Sequence, residues 1–78
     1  MKACTKTEYY FFLADSYVEG KKEGETIFVD RWAYDRDILV AIIASWTDLT
    51  MTACEIIADE LINNEECYYT QRVSRISA

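Results

Sequence analysis

The carboxylates of this chain have the clearest chemical meaning. Between Arg36 and Arg72 no basic residue occurs, whereas seven acidic residues do: Asp37, Asp48, Glu55, Asp59, Glu60, Glu65 and Glu66. The rest of the chain carries seven acidic and eight basic residues, so this stretch accounts for the formal net charge of -6. A one-sided field of this kind attracts basic partners and repels nucleic acid and anionic membranes.

Two of these carboxylates have a spacing that fits one face of a helix. Glu55 and Asp59 are one turn apart, so their carboxylates are expected about 6 Å apart along the axis. On a continuous helix Asp48 would project within about 40° of both. Such neighbours repel each other, and no basic residue stands at helical spacing to relieve them. Two interpretations stay open: a solvated acidic face, or a surface complementary to a basic partner.

Apolar side chains flank the predicted acidic face. Met51 and Ile62 project beside it rather than into the presumed core. Apolar residues bordered by charge are typical of interface centres, although single exposed hydrophobic residues are ordinary. The sequence therefore predicts a partner-binding surface made of seven residues: Asp48, Met51, Glu55, Asp59, Ile62, Glu65 and Glu66.

Enzymatic chemistry has little support in this sequence. The chain contains no histidine, which excludes Ser-His and Cys-His nucleophile pairs and His/Cys zinc sites within one chain. The cysteines Cys4, Cys54 and Cys67 lack the C-x-x-C spacing of metal and redox motifs. Neither a phosphate-binding glycine loop nor a complete calcium loop is present. We expect no enzymatic activity, no metal site and no cofactor.

The apolar runs and the cysteine count indicate a compartment. Residues 9–14 are too few and too aromatic for the core of a signal peptide, and residues 38–44 fall far short of the roughly 20 that a membrane span needs. An odd number of cysteines favours a reducing environment. We expect a cytoplasmic protein, in the host cytoplasm if it is viral, without membrane contact. Whether Cys4 and Cys67 pair stays open.

Glycine and aromatic residues predict a hairpin in the first half of the chain. Gly20 and Gly24 are the only glycines, and they indicate the tip of a turn. Residues 8–18 are rich in aromatic side chains and predict a first strand, and residues 26–32 alternate as a second strand does. The run 9–12 is apolar on both faces, which favours a central position for the first strand.

The second half of the chain predicts two helices and a strand. Asp35 and Asp37 precede an apolar run, as at a helix start. Residues 47–52 indicate a break, and residues 52–55 fit a capping box that starts a second helix ending near Asn64. One continuous helix over residues 37–64 also fits the apolar spacing. Residues 67–76 predict a third strand.

The predicted fold class is α+β, in a single domain over residues 1–78. The order β-β-α-α-β indicates a small antiparallel three-stranded sheet with two helices on one face. The neighbouring pairs Tyr9-Tyr10 and Tyr68-Tyr69 would form a cluster if the terminal strands pair. Sheet packing is the favoured role for that cluster, because a base-stacking platform needs a basic surface.

These observations favour a binding protein. The acidic stretch predicts an inhibitor or adaptor that blocks the basic nucleic-acid-binding surface of a CRISPR effector, a nuclease or a transcription factor, without binding nucleic acid itself. In size and acidity the chain resembles small phage-encoded inhibitors, including anti-CRISPR proteins and DNA mimics, although it shares no motif with them. That resemblance implies a viral protein. The alternative is a structural or regulatory homo-oligomer, such as a homodimer, assembled through aromatic-rich strands.

Overall fold

The structure is a computed structural model that describes residues 3–15, 17–31 and 35–75, with side chains described from residue 6 to residue 71 of these segments. Its elements are β1 (Ala3–Leu13), β2 (Tyr17–Lys22), β3 (Glu25–Arg31), α1 (Arg36–Trp46), α2 (Met51–Asn64) and β4 (Glu66–Arg75). The strands form one antiparallel sheet in the order β3-β2-β1-β4. The protein is therefore α+β, as predicted, with four strands rather than three.

The predicted first strand over residues 8–18 is divided between two strands. The chain reverses after Leu13, where the Ala14 N–H donates to the carbonyl oxygen of Tyr17 at 2.8 Å. Aromatic residues on both sides of Asp15 conceal this turn, because together they look like one continuous strand. The central position of β1 is confirmed, since it lies between β2 and β4.

Gly20 lies inside β2 rather than at the hairpin tip. The tip is formed by Glu23 and Gly24, whose φ angles are 53° and 84°. Gly20 has a different role, because the ring of Phe28 packs directly over it. A Cβ atom at residue 20 would lie 2.1 Å from Cε2 of that ring. The missing side chain thus leaves room for the buried Phe28 ring, which also stacks on the half-exposed Trp46 at a centroid distance of 6.2 Å.

The core lies between the helices and one face of the sheet. The strands contribute a set of buried residues that share this face: Tyr9, Phe11, Val18, Phe28 and Cys67. The helices and their connecting loop contribute the opposing set: Leu39, Ile43, Leu49, Ala53, Cys54, Ile57, Ala58 and Leu61. Burying each large apolar side chain contributes about 1.5–3 kcal/mol. The predicted packing of both helices on one face is thus observed.

The two helices are separate, and local hydrogen bonds explain the break. The N-cap of α1 is Asp35, whose carboxylate accepts a hydrogen bond from the Ile38 N–H at 3.4 Å. After α1 the Thr47 hydroxyl donates to the carbonyl oxygen of Ile43 at 2.7 Å and accepts from the Leu49 N–H at 3.3 Å. Because the Thr47 side chain bonds these backbone groups, it replaces the backbone hydrogen bonds that would continue the helix.

The second helix begins two residues earlier than the predicted capping box. Its N-cap is Thr50, whose hydroxyl accepts a hydrogen bond from the Ala53 N–H at 3.1 Å, whereas Thr52 lies within the helix. The helix ends at Asn64, as predicted. Glu65 follows in the left-handed conformation, with φ of 68°, and its N–H donates to the carbonyl oxygen of Leu61 at 2.8 Å.

The ladder between β1 and β4 separates two of the cysteines. Cys4 is the register partner of Ser74, and Cys67 is the partner of Phe11. Positions 67 and 74 are seven residues apart, which corresponds to about 23 Å along a strand. This ladder is incompatible with a disulfide bond between Cys4 and Cys67 of one chain.

Replacing Gly20 with alanine is expected to lower the free energy of unfolding by about 1–3 kcal/mol, because the new Cβ would overlap the Phe28 ring. Urea denaturation measures this loss. Gly24→Ala is the comparison for backbone strain without a clash, since its φ is positive and no atom lies within 4 Å of its added Cβ. Adding Phe28→Leu to Gly20→Ala should recover part of the loss. If the losses of stability caused by Gly20→Ala and Phe28→Leu simply add in the double variant, the two residues are not coupled and the contact between them is contradicted.

Ionisable groups of the core predict a loss of stability at alkaline pH. Burial raises the pKa of Cys54, of Cys67 and of Tyr9, with a further contribution to Tyr9 from Asp48 and Glu23. A raised folded-state pKa gives stability that is complete below the unfolded pKa, about 8.5 for cysteine and 10 for tyrosine. That stability is lost as the pH rises through the folded pKa.

The thermal midpoint should therefore fall as the pH rises above about 8.5. Tyr9→Phe should have a shallower fall than the wild type above about pH 10, because phenylalanine does not ionise. Scanning calorimetry over this range measures both slopes. Equal slopes for the two proteins would show that Tyr9 does not contribute.

Candidate functional site

The helices and their connections concentrate negative charge on one side of the molecule. Residues 35–65, which form the helices and their connections, contain seven acidic residues and a single basic residue, Arg36. The sides of α1 and α2 that face the sheet are apolar, so the charged side chains lie on the outer surface and at the helix ends. This arrangement gives the helical layer a strongly negative outer surface.

Four of the predicted site residues form a line along α2, which we call the acidic stripe: Met51, Glu55, Asp59 and Ile62. Their spacing of four, four and three residues places them on one side of the helix. Met51 is 57% exposed and Ile62 is 47% exposed, and both carboxylates reach solvent. The stripe thus has two acidic side chains at its centre and an accessible apolar side chain at each end.

The other three predicted site residues lie outside α2. Asp48 is exposed in the loop between the helices, so the projection expected for a continuous helix does not apply to it. Glu65 is exposed just beyond the end of α2. Glu66 begins β4, and its carboxylate accepts a hydrogen bond from the Tyr10 hydroxyl at 3.1 Å on the sheet face turned away from the helices. The structure therefore separates Glu66 from the acidic stripe.

Arg36 belongs to the site, although the sequence does not indicate it. From the start of α1, its Nε donates to Oδ1 of Asp59 at 2.5 Å, and its Nη2 donates to Oδ2 at 3.5 Å. The hydrogen bond to Asp59 raises the pKa of Arg36, as do the charge of Asp59 and, more weakly, those of Glu55 and Asp37. The positive charge that offsets the repulsion between Glu55 and Asp59 therefore comes from the neighbouring helix. Only the packing of α1 against α2 brings it there.

The ion pair between Arg36 and Asp59 stays accessible to solvent. The side chains are 43% and 53% exposed, respectively. Exposed pairs of this kind contribute about 0–1 kcal/mol to stability, because water screens the attraction and two long side chains must be ordered. Asp59 can therefore exchange Arg36 for a cation on a partner at little energetic cost.

The sheet face turned away from the helices is a second exposed surface. Tyr10 and Tyr68 contact each other on this face with ring centroids 4.6 Å apart, and Phe12 and Tyr17 lie 6.3 Å apart. The tyrosine cluster predicted from the paired terminal strands is thus present for Tyr10 and Tyr68, whereas Tyr9 lies in the core.

The described residues also bear on other kinds of site. Among them, no group of three cysteine or carboxylate side chains is arranged to hold a metal ion. Cys54 and Cys67 are buried, and burial raises the pKa of both thiols, which makes them poor nucleophiles. Neither α1 nor α2 is long and apolar enough to cross a membrane.

Comparison with known proteins adds no assignment. The chain matches no family model, and no curated protein or solved structure is significantly similar to it.

Removing the ion pair is expected to change stability only slightly. Arg36→Gln and Asp59→Asn should each alter the free energy of unfolding by less than about 1 kcal/mol, and the double-mutant coupling should also stay below about 1 kcal/mol. Urea denaturation is the suitable measurement, because urea does not screen charges. A coupling above about 2 kcal/mol would show that the pair is a structural element rather than an exchangeable contact.

Proposed function

We propose that this protein is a non-catalytic inhibitor or adaptor that binds a basic surface of another protein through the acidic stripe. The observation that carries the proposal is the arrangement of Met51, Glu55, Asp59 and Ile62 on the outer side of α2. Interface centres combine apolar side chains that exclude water with charged groups that select the partner. The stripe has both.

The partner that fits this surface is rich in lysine and arginine. Basic surfaces of that type in nucleases, CRISPR effectors and transcription factors bind phosphate groups. By occupying the same basic side chains, Glu55 and Asp59 would compete with nucleic acid, as a DNA mimic does. A viral protein with an anti-CRISPR or similar role, acting in the cytoplasm of the host, fits this mechanism.

Charge and apolar contact have different roles in the proposed complex. The negative helical layer accelerates association with a basic partner, and this effect weakens as salt is added. Met51 and Ile62 become buried on binding and slow dissociation. Asp48 and Glu65 extend the negative surface beyond the two ends of α2. Glu66, on the other face of the sheet, takes no part in this contact.

The test is a pull-down with tagged protein from lysate of the source organism, or of its host if it is viral, after nuclease treatment. The wild type should retain a basic nucleic-acid-handling protein in moderate salt. Glu55→Lys combined with Asp59→Lys should lose about tenfold or more of that binding, because attraction becomes repulsion. The thermal midpoint of each variant checks that the fold is intact.

Asp15→Lys combined with Glu25→Lys is the matched control, since it makes the same charge change at exposed residues outside α2. This control should retain most of the partner. Equal losses in the two double variants would reduce the effect to net charge and contradict a defined stripe. If the wild type retains no partner, the inhibitor proposal fails and a self-assembling protein becomes the better explanation.

A further inference from the structure

The edge of the sheet at β4 is a long strand with an uncharged central stretch. In the strand order, β3 and β4 are the two edges, and β4 is ten residues long with five uncharged residues in succession, 67–71. No other described strand lies on its outer side. Long uncharged edges present backbone groups that can pair with another strand. The β3 edge is shorter, carries three charged residues among seven, and has a register irregularity beside it.

A groove runs along this edge, between α2 and β4. Its volume is about 460 Å³, and its lining consists of Ile56, Glu60, Asn64, Glu66, Cys67, Tyr68 and Tyr69. Ile56 is 54% exposed and Tyr68 is 77% exposed, so apolar surface lies uncovered beside the open backbone. α2 therefore leaves this edge accessible.

We infer that β4 pairs antiparallel with β4 of a second copy, so that two four-stranded sheets become one eight-stranded sheet. The charges along the strand select the register. With the two-fold axis at Tyr69, Glu66 stands opposite Arg72 of the second copy, and the symmetric pair forms at the other end. The uncharged residues 67–71 occupy the centre. Acidic and basic residues of two β4 strands face each other symmetrically only when the strands run antiparallel.

The register inside one chain adds a second reason for this pairing. Lys6 of β1 is the register partner of Arg72, which places two basic residues opposite each other. Like charges at such positions are destabilising. In the inferred register Glu66 of a second copy stands beside position 72 on the outer side of the strand, so the sequence places an acidic residue next to these two basic ones. The helical layer cannot serve as the self-interface in this way, because its charge is almost entirely of one sign.

The dimer also accounts for Ile56. This residue lines the groove together with Tyr69, so it lies near the inferred two-fold axis. Across that axis the two α2 helices run antiparallel, and the two Ile56 side chains meet. Ile62 projects about 120° away around the helix. Glu55 and Asp59 project about 100° and 60° away from Ile56, so the acidic stripe is centred outside the inferred contact. The inference does not depend on the function proposed for the stripe.

Sedimentation velocity from micromolar to millimolar protein tests the inference. The wild type should show a concentration-dependent equilibrium between monomer and dimer. Glu66→Arg and Arg72→Glu should each raise the dimer dissociation constant by about tenfold or more, because each places like charges at two symmetric positions. The combined exchange of both residues should return the constant to within about threefold of the wild type.

Glu25→Arg is the matched control, because it reverses a charge at the first residue of the other edge strand. This variant should leave the dissociation constant unchanged. Ile56→Lys should weaken the dimer even though Glu66 and Arg72 are unchanged. Ile38→Lys introduces the same charge at an exposed residue of α1 and should leave the dimer unchanged. Circular dichroism checks each fold.

A monomer at every concentration overturns the inference, and so does a dimer that neither single reversal weakens. Failure of the combined exchange to restore dimerisation overturns the inferred register. These results are independent of the pull-down, because the dimer variants lie outside the acidic stripe. A monomer that still retains a basic partner would contradict only the dimer.

Discussion

The packing of both helices on a single face of the sheet is the constraint on which the other features of this protein depend. Two short helices cover that face, and the buried side chains of α1 and α2 pack against it. Charged side chains of the helices then lie on their outer side, at their ends and, for Glu60, at the groove beside β4. The opposite face of the sheet and the edge at β4 stay uncovered. Each candidate surface is thus what remains after one core has been formed.

Phe28 over Gly20 shows how closely that core is fitted. The ring occupies the space that any Cβ at residue 20 would need, and it stacks on Trp46 at the end of α1. A small domain buries a modest share of its surface, so a few such contacts carry much of its stability. The exposed ion pair of Arg36 and Asp59 contributes far less, because water screens it. The charged surface is therefore free to serve recognition.

The proposed partner surface and the inferred dimer surface use different sides of α2. The acidic stripe faces outward with Ile62, whereas Ile56 faces the groove beside β4. A dimer formed across β4 would carry two acidic stripes on one assembly. Two linked sites can raise the overall affinity for a partner that also has two sites, without any additional contact within either site.

The sequence by itself determined the α+β class, the helical character of the stretch after Asp35, and the concentration of negative charge in that stretch. These properties depend on local periodicity, capping residues and composition, which neighbours along the chain specify. The division of residues 8–18 into two strands, the placement of Arg36 against Asp59 and the separation of Glu66 from the acidic stripe were decided by tertiary structure. Contacts between residues distant in the chain depend on how the elements pack, and hydrophobic periodicity does not specify which charged side chains that packing brings together.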